Sequence, residues 1–326
     1  VNPLPAATRT YVVLGANGGV GSHLVDVLTA ANRRVRAVSR APLPAHRNVE
    51  HMSADLRDAD QLRAAIDGAD IVFHAAQPPY TRWPQEFPAL TNDIASATAS
   101  AGARLVLVDN LYMYGPTTAP MTEDLPYAAT DPKGRTRAAM ATSLLQRHHA
   151  GELDVVLARA SDYYGPRGVN SAAGQTLFDA ALTGTKANLI GSLDQPHSWS
   201  YLPDIADALV RLADAPHSGG RAWHLPAAEP LTQRQLVTLV YQAAGHRPRM
   251  AALPGAIHRA IATVHPMLRE LYSTRWQFTH PFTTDWTDYA TEIAAFTPTP
   301  HTQAVRATLT WYSERAGVPA RPTEAG

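Results

Sequence analysis

The sequence predicts an α/β protein: a doubly wound parallel sheet, with chain left over for a smaller C-terminal lobe. Two observations lead there. Residues 10–25 read as an apolar strand, a turn with glycines at 15, 18 and 21, and then a helix. Downstream, strand-like runs at 35–38, 49–52, 70–76, 103–108 and 154–159 alternate with helical stretches, the pattern of parallel strands joined by crossovers. A chain of 326 residues suits one α/β body or two fused lobes.

Composition narrows the partners. The formal net charge is zero, without the basic excess of a nucleic-acid binder. No apolar run approaches the ~18 residues of a membrane span, and 1–5 lacks the basic flank and apolar core of a signal segment. Cysteine is absent, which excludes disulfides, thiolate metal sites and cysteine nucleophiles. The expectation is a cytoplasmic protein with a small-molecule substrate, no metal, no membrane and no nucleic acid. The tail at 319–326 reads as disordered.

The opening turn carries the first chemistry. Gly15 permits a sharp bend, Gly18 lets a pyrophosphate approach the backbone, and Gly21 lets the helix pack close to the strand. Asn17 and Val20 complete the turn, and the free N–H groups of the helix start favour an anion. An ordinary strand-to-helix turn has the same glycines; the order of strand, turn and helix is what favours nucleotide binding.

The second strand, 35–38, ends at Ser39-Arg40 without the acidic residue that would bind an adenosine ribose. Arg40, with Arg36 nearby, offers partners for a 2′-phosphate, so NADP is expected, with NAD the alternative. After the third strand comes Asp55-Leu56, with Asp58 the better helix cap. The fourth strand runs into Ala75-Ala76, small enough for a cofactor to lie on the backbone. Residues 77–88 carry four prolines with Gln77, Tyr80 and Trp83, and are expected to be a non-helical, substrate-side loop. A helix is expected over 89–101.

The G-x-x-G-x-x-G spacing resembles the short-chain dehydrogenase/reductase superfamily, and later motifs are similar to its extended branch, the NAD-dependent epimerase/dehydratase type. These are Tyr114-Gly115 after the fifth strand, Arg159-Ala160-Ser161-Asp162-Tyr163-Tyr164-Gly165-Pro166 after the sixth, and Tyr201-Leu202-Pro203-Asp204-Ile205-Ala206. The resemblance covers about 11–315 and implies a Rossmann domain over 1–169. A return to the sheet at 203–226 is expected, with the substrate lobe formed by 170–202 and 227–318. It also implies a homodimer through the helices at 89–101 and 133–149, although the apolar stripe of the second could equally pack on the sheet.

The resemblance also implies where the reaction centre lies, and there the residues differ. The family's catalytic Ser or Thr falls on Asn110. The family's Tyr-x-x-x-Lys pair falls on Lys133 and Arg137. Three readings follow: Lys133 as proton donor, its pKa lowered beside Arg137 and a cationic nicotinamide; a tyrosine from elsewhere, with Tyr112, Tyr163, Tyr164 and Tyr201 as candidates; or no acid at all. The resemblance implies that Asp55-Leu56 sits beside the adenine and that Ala160, Ser161 and Tyr163 border the cofactor. Gln77, Tyr80, Tyr112, Tyr164, Trp199, Tyr201 and Trp276 are candidates for the substrate wall. Sparse arginines and prominent aromatics in the lobe point away from sugar nucleotides and toward an uncharged or aromatic substrate. The expected function is an NADP-dependent oxidoreductase acting on a carbonyl, imine or conjugated group. The alternatives are an epimerase, dehydratase or isomerase using the nicotinamide transiently or not at all, and a cofactor-sensing protein without turnover.

Overall fold

The computed structural model describes residues 8–42 and 49–317; the expected disordered tail lies outside the described residues. The strands are β1 (Thr10–Leu14), β2 (Arg34–Ser39), β3 (Val49–Ser53), β4 (Ile71–His74), β5 (Arg104–Asp109) and β6 (Asp154–Arg159). They are followed by the short β7 (Tyr163–Tyr164), β8 (Ala187–Ile190), β9 (Pro196–His197), β10 (Ser200–Tyr201), β11 (Ala222–His224), β12 (Leu231–Thr232) and β13 (Met250–Leu253). The helices are α1 (Gly19–Ala30), α2 (Ala59–Ile66), α3 (Trp83–Ser100), α4 (Pro132–His149), α5 (Gln175–Thr183) and α6 (Leu202–Asp214). They continue with α7 (Gln233–Ala243), α8 (Gly255–Ala262), α9 (Pro266–Ser273), α10 (Trp276–Thr279) and α11 (His301–Ala316).

Seven parallel strands form the central sheet in the order β11-β6-β5-β4-β1-β2-β3. The order reverses between β1 and β4, and at such a switch point the loops leaving the carboxyl ends part to open a crevice. The period-two alternation of the strands builds both faces. Tyr11, Val13, Phe73 and Val106 pack with Leu24 and Leu28 of α1 and Leu209 of α6. Val12, Leu14, Val72 and Leu105 pack on the other side with Leu62 of α2, Ile94 of α3 and Leu144 of α4. The apolar stripe of α4 is therefore buried within this chain.

One local feature differs from expectation. Helix α3 begins at Trp83, inside the proline-rich stretch, and contains Pro88. Pro84 lies in the first turn, where a missing N–H has no helical partner to lose, so only Pro88 removes a hydrogen bond. The remaining 18-residue helix and its buried face outweigh that loss. The C-terminal lobe has its own core, in which Phe178, Val240, Val305 and Tyr312 pack together from α5, α7 and α11. Thr232 and Gln235 form a reciprocal capping box on α7.

Candidate active site

The glycine turn has the geometry its sequence requires. Gly15 has φ +83°, and a Cβ there would lie 2.7 Å from the backbone of Ala76. A Cβ on Gly21 would lie 2.2 Å from the Gly15 carbonyl oxygen. The loops after β1 and β4, with Ala75 and Ala76, thus touch through backbone alone, directly at the switch point. Helix α1 begins there with no side-chain cap and no acidic residue in its first turn, so its N–H groups are left for an anion. Asn17 and Gly18 are exposed beside it and Val20 is half-buried.

At the adenosine end, Arg40 is exposed where β2 ends. Arg36 is not available to a phosphate: it donates to the carbonyls of Ala65 (3.1 Å) and Asp67 (2.7 Å) and pairs with Glu50 at 3.0 Å. That corrects the expectation of two arginines. The Asp55 carboxylate holds Arg57 through Nε (3.0 Å) and Nη2 (2.7 Å), which lowers it to about 2. Its neighbour Leu56 packs toward the sheet, and Asp58 caps α2.

The carboxyl ends of β5 and β6 and the head of α4 gather the reaction-centre candidates. Asp131 caps α4 by accepting from the Gly134 N–H at 2.9 Å, which aims the first turn at the crevice. Lys133 is completely buried, not the exposed first-turn residue that such a position often holds. Its ammonium donates to Glu270 of α9 and lies 4.3 Å from the centre of the Tyr80 ring. Arg137, one turn on, is stacked between Trp83 (4.5 Å) and Phe87 (4.3 Å). It meets Asp109 at 3.2 Å as an ion pair, yet its Nε and Nη1 lack an aligned hydrogen-bond acceptor. Burial lowers this guanidinium and Asp109 opposes the shift. Asp109 also faces the buried Arg159 at 3.4 Å, so one carboxylate serves two guanidiniums. Arg159 continues to the hydroxyls of Tyr114 and Tyr127.

Around this pair stand the phenols. Tyr80 bonds Thr274 at 3.1 Å, and Tyr112 meets the Gln277 amide at 3.5 Å. Burial pushes Tyr80 up to about 12, raises Tyr112 well above the usual phenol range and raises Tyr163. All three therefore remain protonated donors near neutrality. Asn110 accepts from the Tyr112 N–H at 3.2 Å through its side-chain oxygen, fixing the turn after β5. Tyr80, Trp83, Tyr112, Trp276 and Phe282 form a chain of edge-to-face and tilted ring contacts, with centroids 5.0–6.4 Å apart. Ala160 and Ser161 are buried behind Tyr163, Ser161 donating to the Ser198 carbonyl at 2.6 Å. Gln77 is exposed on the loop leading to Tyr80.

Other candidates lie elsewhere. Trp199 is buried in the lobe core and donates to the Leu231 carbonyl at 3.0 Å; Tyr164, fully buried there, bonds His301 at 2.9 Å. Tyr201 packs on Tyr164 with centroids 5.7 Å apart. These three stabilise the lobe rather than line the crevice, which corrects their assignment to the substrate wall. His197 is likewise structural in its contacts: it bonds Asp162 at 3.1 Å and the Gln277 carbonyl at 3.2 Å among three aromatic rings. A cavity of about 530 Å³ beside β11, lined by Glu123, Tyr127, Arg221, Asp285 and Asp288, shares no residue with the glycine turn.

Sequence reasoning missed Glu270, Gln277, Asp109 and Phe87. Only Glu270 left a trace, as the one acid within 255–275, a stretch with three arginines. The others carry no spacing signal, because they reach the site through tertiary packing.

Similarity to known proteins agrees with the crevice. A family model for the NAD dependent epimerase/dehydratase family matches residues 11–225. The 3 beta-hydroxysteroid dehydrogenase/Delta 5-->4-isomerase of Mycobacterium tuberculosis is 27% identical over 263 residues, covering 73% of this chain and 70% of its own. UDP-glucose 4-epimerase of Mycolicibacterium smegmatis is 27% identical over 273 residues, 74% of this chain and 87% of its own. Among solved structures, MoeE5 in complex with UDP-glucuronic acid and NAD has a TM-score of 0.77 at 23% identity over 94% of this chain and 99% of that one, which shows a shared fold. With the glycine turn at the switch point and the family match spanning the whole sheet, the chain belongs to the NAD-dependent epimerase/dehydratase family of extended short-chain dehydrogenases, a family of Rossmann-fold enzymes.

Proposed function

We propose that this protein is an NADP-dependent reductase of a carbonyl, imine or conjugated group on an uncharged, ring-bearing small molecule. The observation that carries this reading is Lys133: fully buried, on the family's phenol position, with its ammonium held by Glu270 beside Tyr80.

The residues present fit a dinucleotide. The backbone cradle leaves no room for a Cβ at Gly15 or Gly21 and little at Gly18, the α1 N–H groups suit a pyrophosphate, and the Nε and Nη1 of Arg137 suit ribose hydroxyls. Arg40 would hold a 2′-phosphate. When bound, the nicotinamide supplies the hydride. The chain supplies the rest. Lys133 donates a proton from Nζ to the substrate oxygen or nitrogen, and the Glu270 carboxylate compensates its charge before that transfer. Tyr112 and the Asn110 amide orient the same atom as hydrogen-bond donors. The rings of Tyr80, Tyr112 and Trp276 favour a flat or alicyclic apolar body. The similarity to the steroid dehydrogenase supports the apolar substrate; the similarity to the sugar-nucleotide epimerase supports the alternative of transient oxidation.

The deciding experiment follows the reduced-nicotinamide absorbance while a panel of cyclic ketones and enones is supplied. Net consumption of NADPH is expected. Lys133→Met should lower kcat about 10²–10⁴-fold while cofactor affinity, read by fluorescence, stays within a few-fold. Turnover with no net change in absorbance would replace the reductase by an epimerase. Full activity of Lys133→Met would move the proton to Tyr112.

A further inference from the structure

Lys133 is completely buried. Two groups close off its ammonium: the Glu270 carboxylate of α9, and the Tyr80 ring, whose centre lies 4.3 Å away. A substrate cannot meet Nζ until one of them withdraws. Tyr80 is the fixed one. Its ring packs edge-on against Trp83 with centroids 5.0 Å apart, and its hydroxyl bonds the buried Thr274 at 3.1 Å. Glu270 is the movable one, because of the element that carries it.

Helices α8 and α9 hold well to each other. Arg269 donates to the carbonyls of Ala262 (3.2 Å) and Thr263 (3.0 Å). His258 bonds the Leu268 carbonyl at 3.0 Å and meets the Tyr272 ring edge-on at 5.1 Å. The hairpin holds to the rest of the chain far less. Among the described residues, none of its side chains joins the apolar clusters of the sheet, the lobe or the ring-lined crevice. Across both helices only His258 and Ala262 are buried. What ties 255–273 to the sheet domain is the ion pair of Glu270 with Lys133. Both ends, by contrast, are anchored. The hairpin leaves β13, which pairs with β8, and returns at α10, where the Trp276 indole donates to Asp131 at 3.2 Å and Phe278 packs in the lobe core. A segment with so few buried apolar contacts opens at low free-energy cost while the core stays folded. Its internal bonds make it move as one body about its two ends.

We propose that the α8–α9 hairpin is a lid over the reaction centre, hinged at 254–255 and 274–275 and latched by Glu270 on Lys133. Substrate enters when the lid swings out, which breaks the ion pair and uncovers Nζ. Glu270 is then a positioning residue: it holds the lid shut and gives the buried ammonium its counter-charge while the site is empty. The purpose of the motion rests on Lys133 as the proton donor; the motion itself needs neither cofactor nor turnover and is measured without them.

The chain has two lysines, Lys133 and the exposed Lys186, so acylation of the full chain with succinimidyl acetate, mapped by peptide mass, compares them directly. Amide hydrogen exchange under the same conditions reports global unfolding at β5. Lys133 is expected to react more slowly than Lys186, yet to react while the β5 amides stay protected. Glu270→Gln removes the latch. The amides of α8 and α9 should then exchange together, about tenfold faster or more, while those of β13 and α10 stay within a few-fold. Acylation of Lys133 only as the β5 protection is lost would overturn the lid, and so would a Glu270→Gln variant whose faster exchange is absent or confined to α9. Loss of the proton-donor reading has a separate signature, full activity of Lys133→Met, which these two measurements do not depend on.

Discussion

Three buried histidines are held neutral. Burial lowers His74 to about 3 and His23 and His224 to about 4, and a neighbouring arginine adds to each shift. His224 is fully buried and bonded to Tyr114 at 2.8 Å and to the Asp285 carbonyl at 2.9 Å. The folded pKa lies below the unfolded one, so the unfolded chain binds more protons between the two values. Stability is then complete above pH ~6.5 and is lost as pH falls toward 4; a shift from 6.5 to about 4 is worth about 3 kcal/mol at most for His224. Melting temperature measured from pH 7 to pH 4.5 should fall on the acid side, and His224→Gln should flatten part of that slope. An unchanged slope in the variant would locate the acid sensitivity elsewhere. Arg40 is the other residue-scale test. If it reads a 2′-phosphate, Arg40→Ala should weaken NADP by about 1.5–3 kcal/mol, the usual value of a hydrogen bond to a charged group, and leave NAD almost unchanged. Equal loss for both cofactors would remove Arg40 from that role.

At the scale of elements, the decisive contact is between α1 and the turn before it. Alanine is intrinsically better in a helix than glycine by about 1 kcal/mol, so Gly21→Ala should stabilise an isolated α1. In the folded chain the added Cβ meets the Gly15 oxygen at 2.2 Å, and that atom is backbone. Overpacking of this kind costs ~1–3 kcal/mol or more, so the clash wins. Gly21→Ala should lower the denaturation midpoint and weaken dinucleotide binding together. A variant as stable as the parent would mean that the turn can open. Helix α4 shows another element-level effect. Asp131 and Pro132 fix where it starts, and that start sends Lys133 and Arg137, four residues apart, to one side. The same helix buries Met140 and Leu144 within the chain, so a homodimer through α3 and α4 would rest on their polar outer faces.

For the whole molecule, the crevice joins parts far apart in sequence. The turn at Gly15 meets the backbone of Ala75 and Ala76, and Lys133 meets Glu270. A ligand that binds only this assembled form stabilises it by mass action, about 2.7 kcal/mol at a hundredfold excess over Kd. NADPH should therefore raise the melting temperature by several degrees, and NADH less. No shift with either would refute the cofactor assignment.

Much of this was legible in the chain. The parallel sheet follows from short β-branched runs separated by crossovers, and the hand of those crossovers from the right-handed rule for parallel connections. The glycine turn, the cap at Asp58 and the capping box at Thr232 depend on neighbours within a few residues, so local chemistry determines them. The start of α3 at Trp83 was not legible, because Pro84 is harmless only once the helix is known to begin there. Trp199 and Tyr164 read as possible substrate contacts because an aromatic residue looks the same whether it faces a cleft or a core. Only tertiary structure placed Glu270 on Lys133 and set Asp109 between two arginines. Those outcomes depend on which surfaces meet across intervening chain, 50 residues between Asp109 and Arg159 and 137 between Lys133 and Glu270. Sequence spacing determines direction along one element; burial and charge pairing between elements are decided when the elements come together.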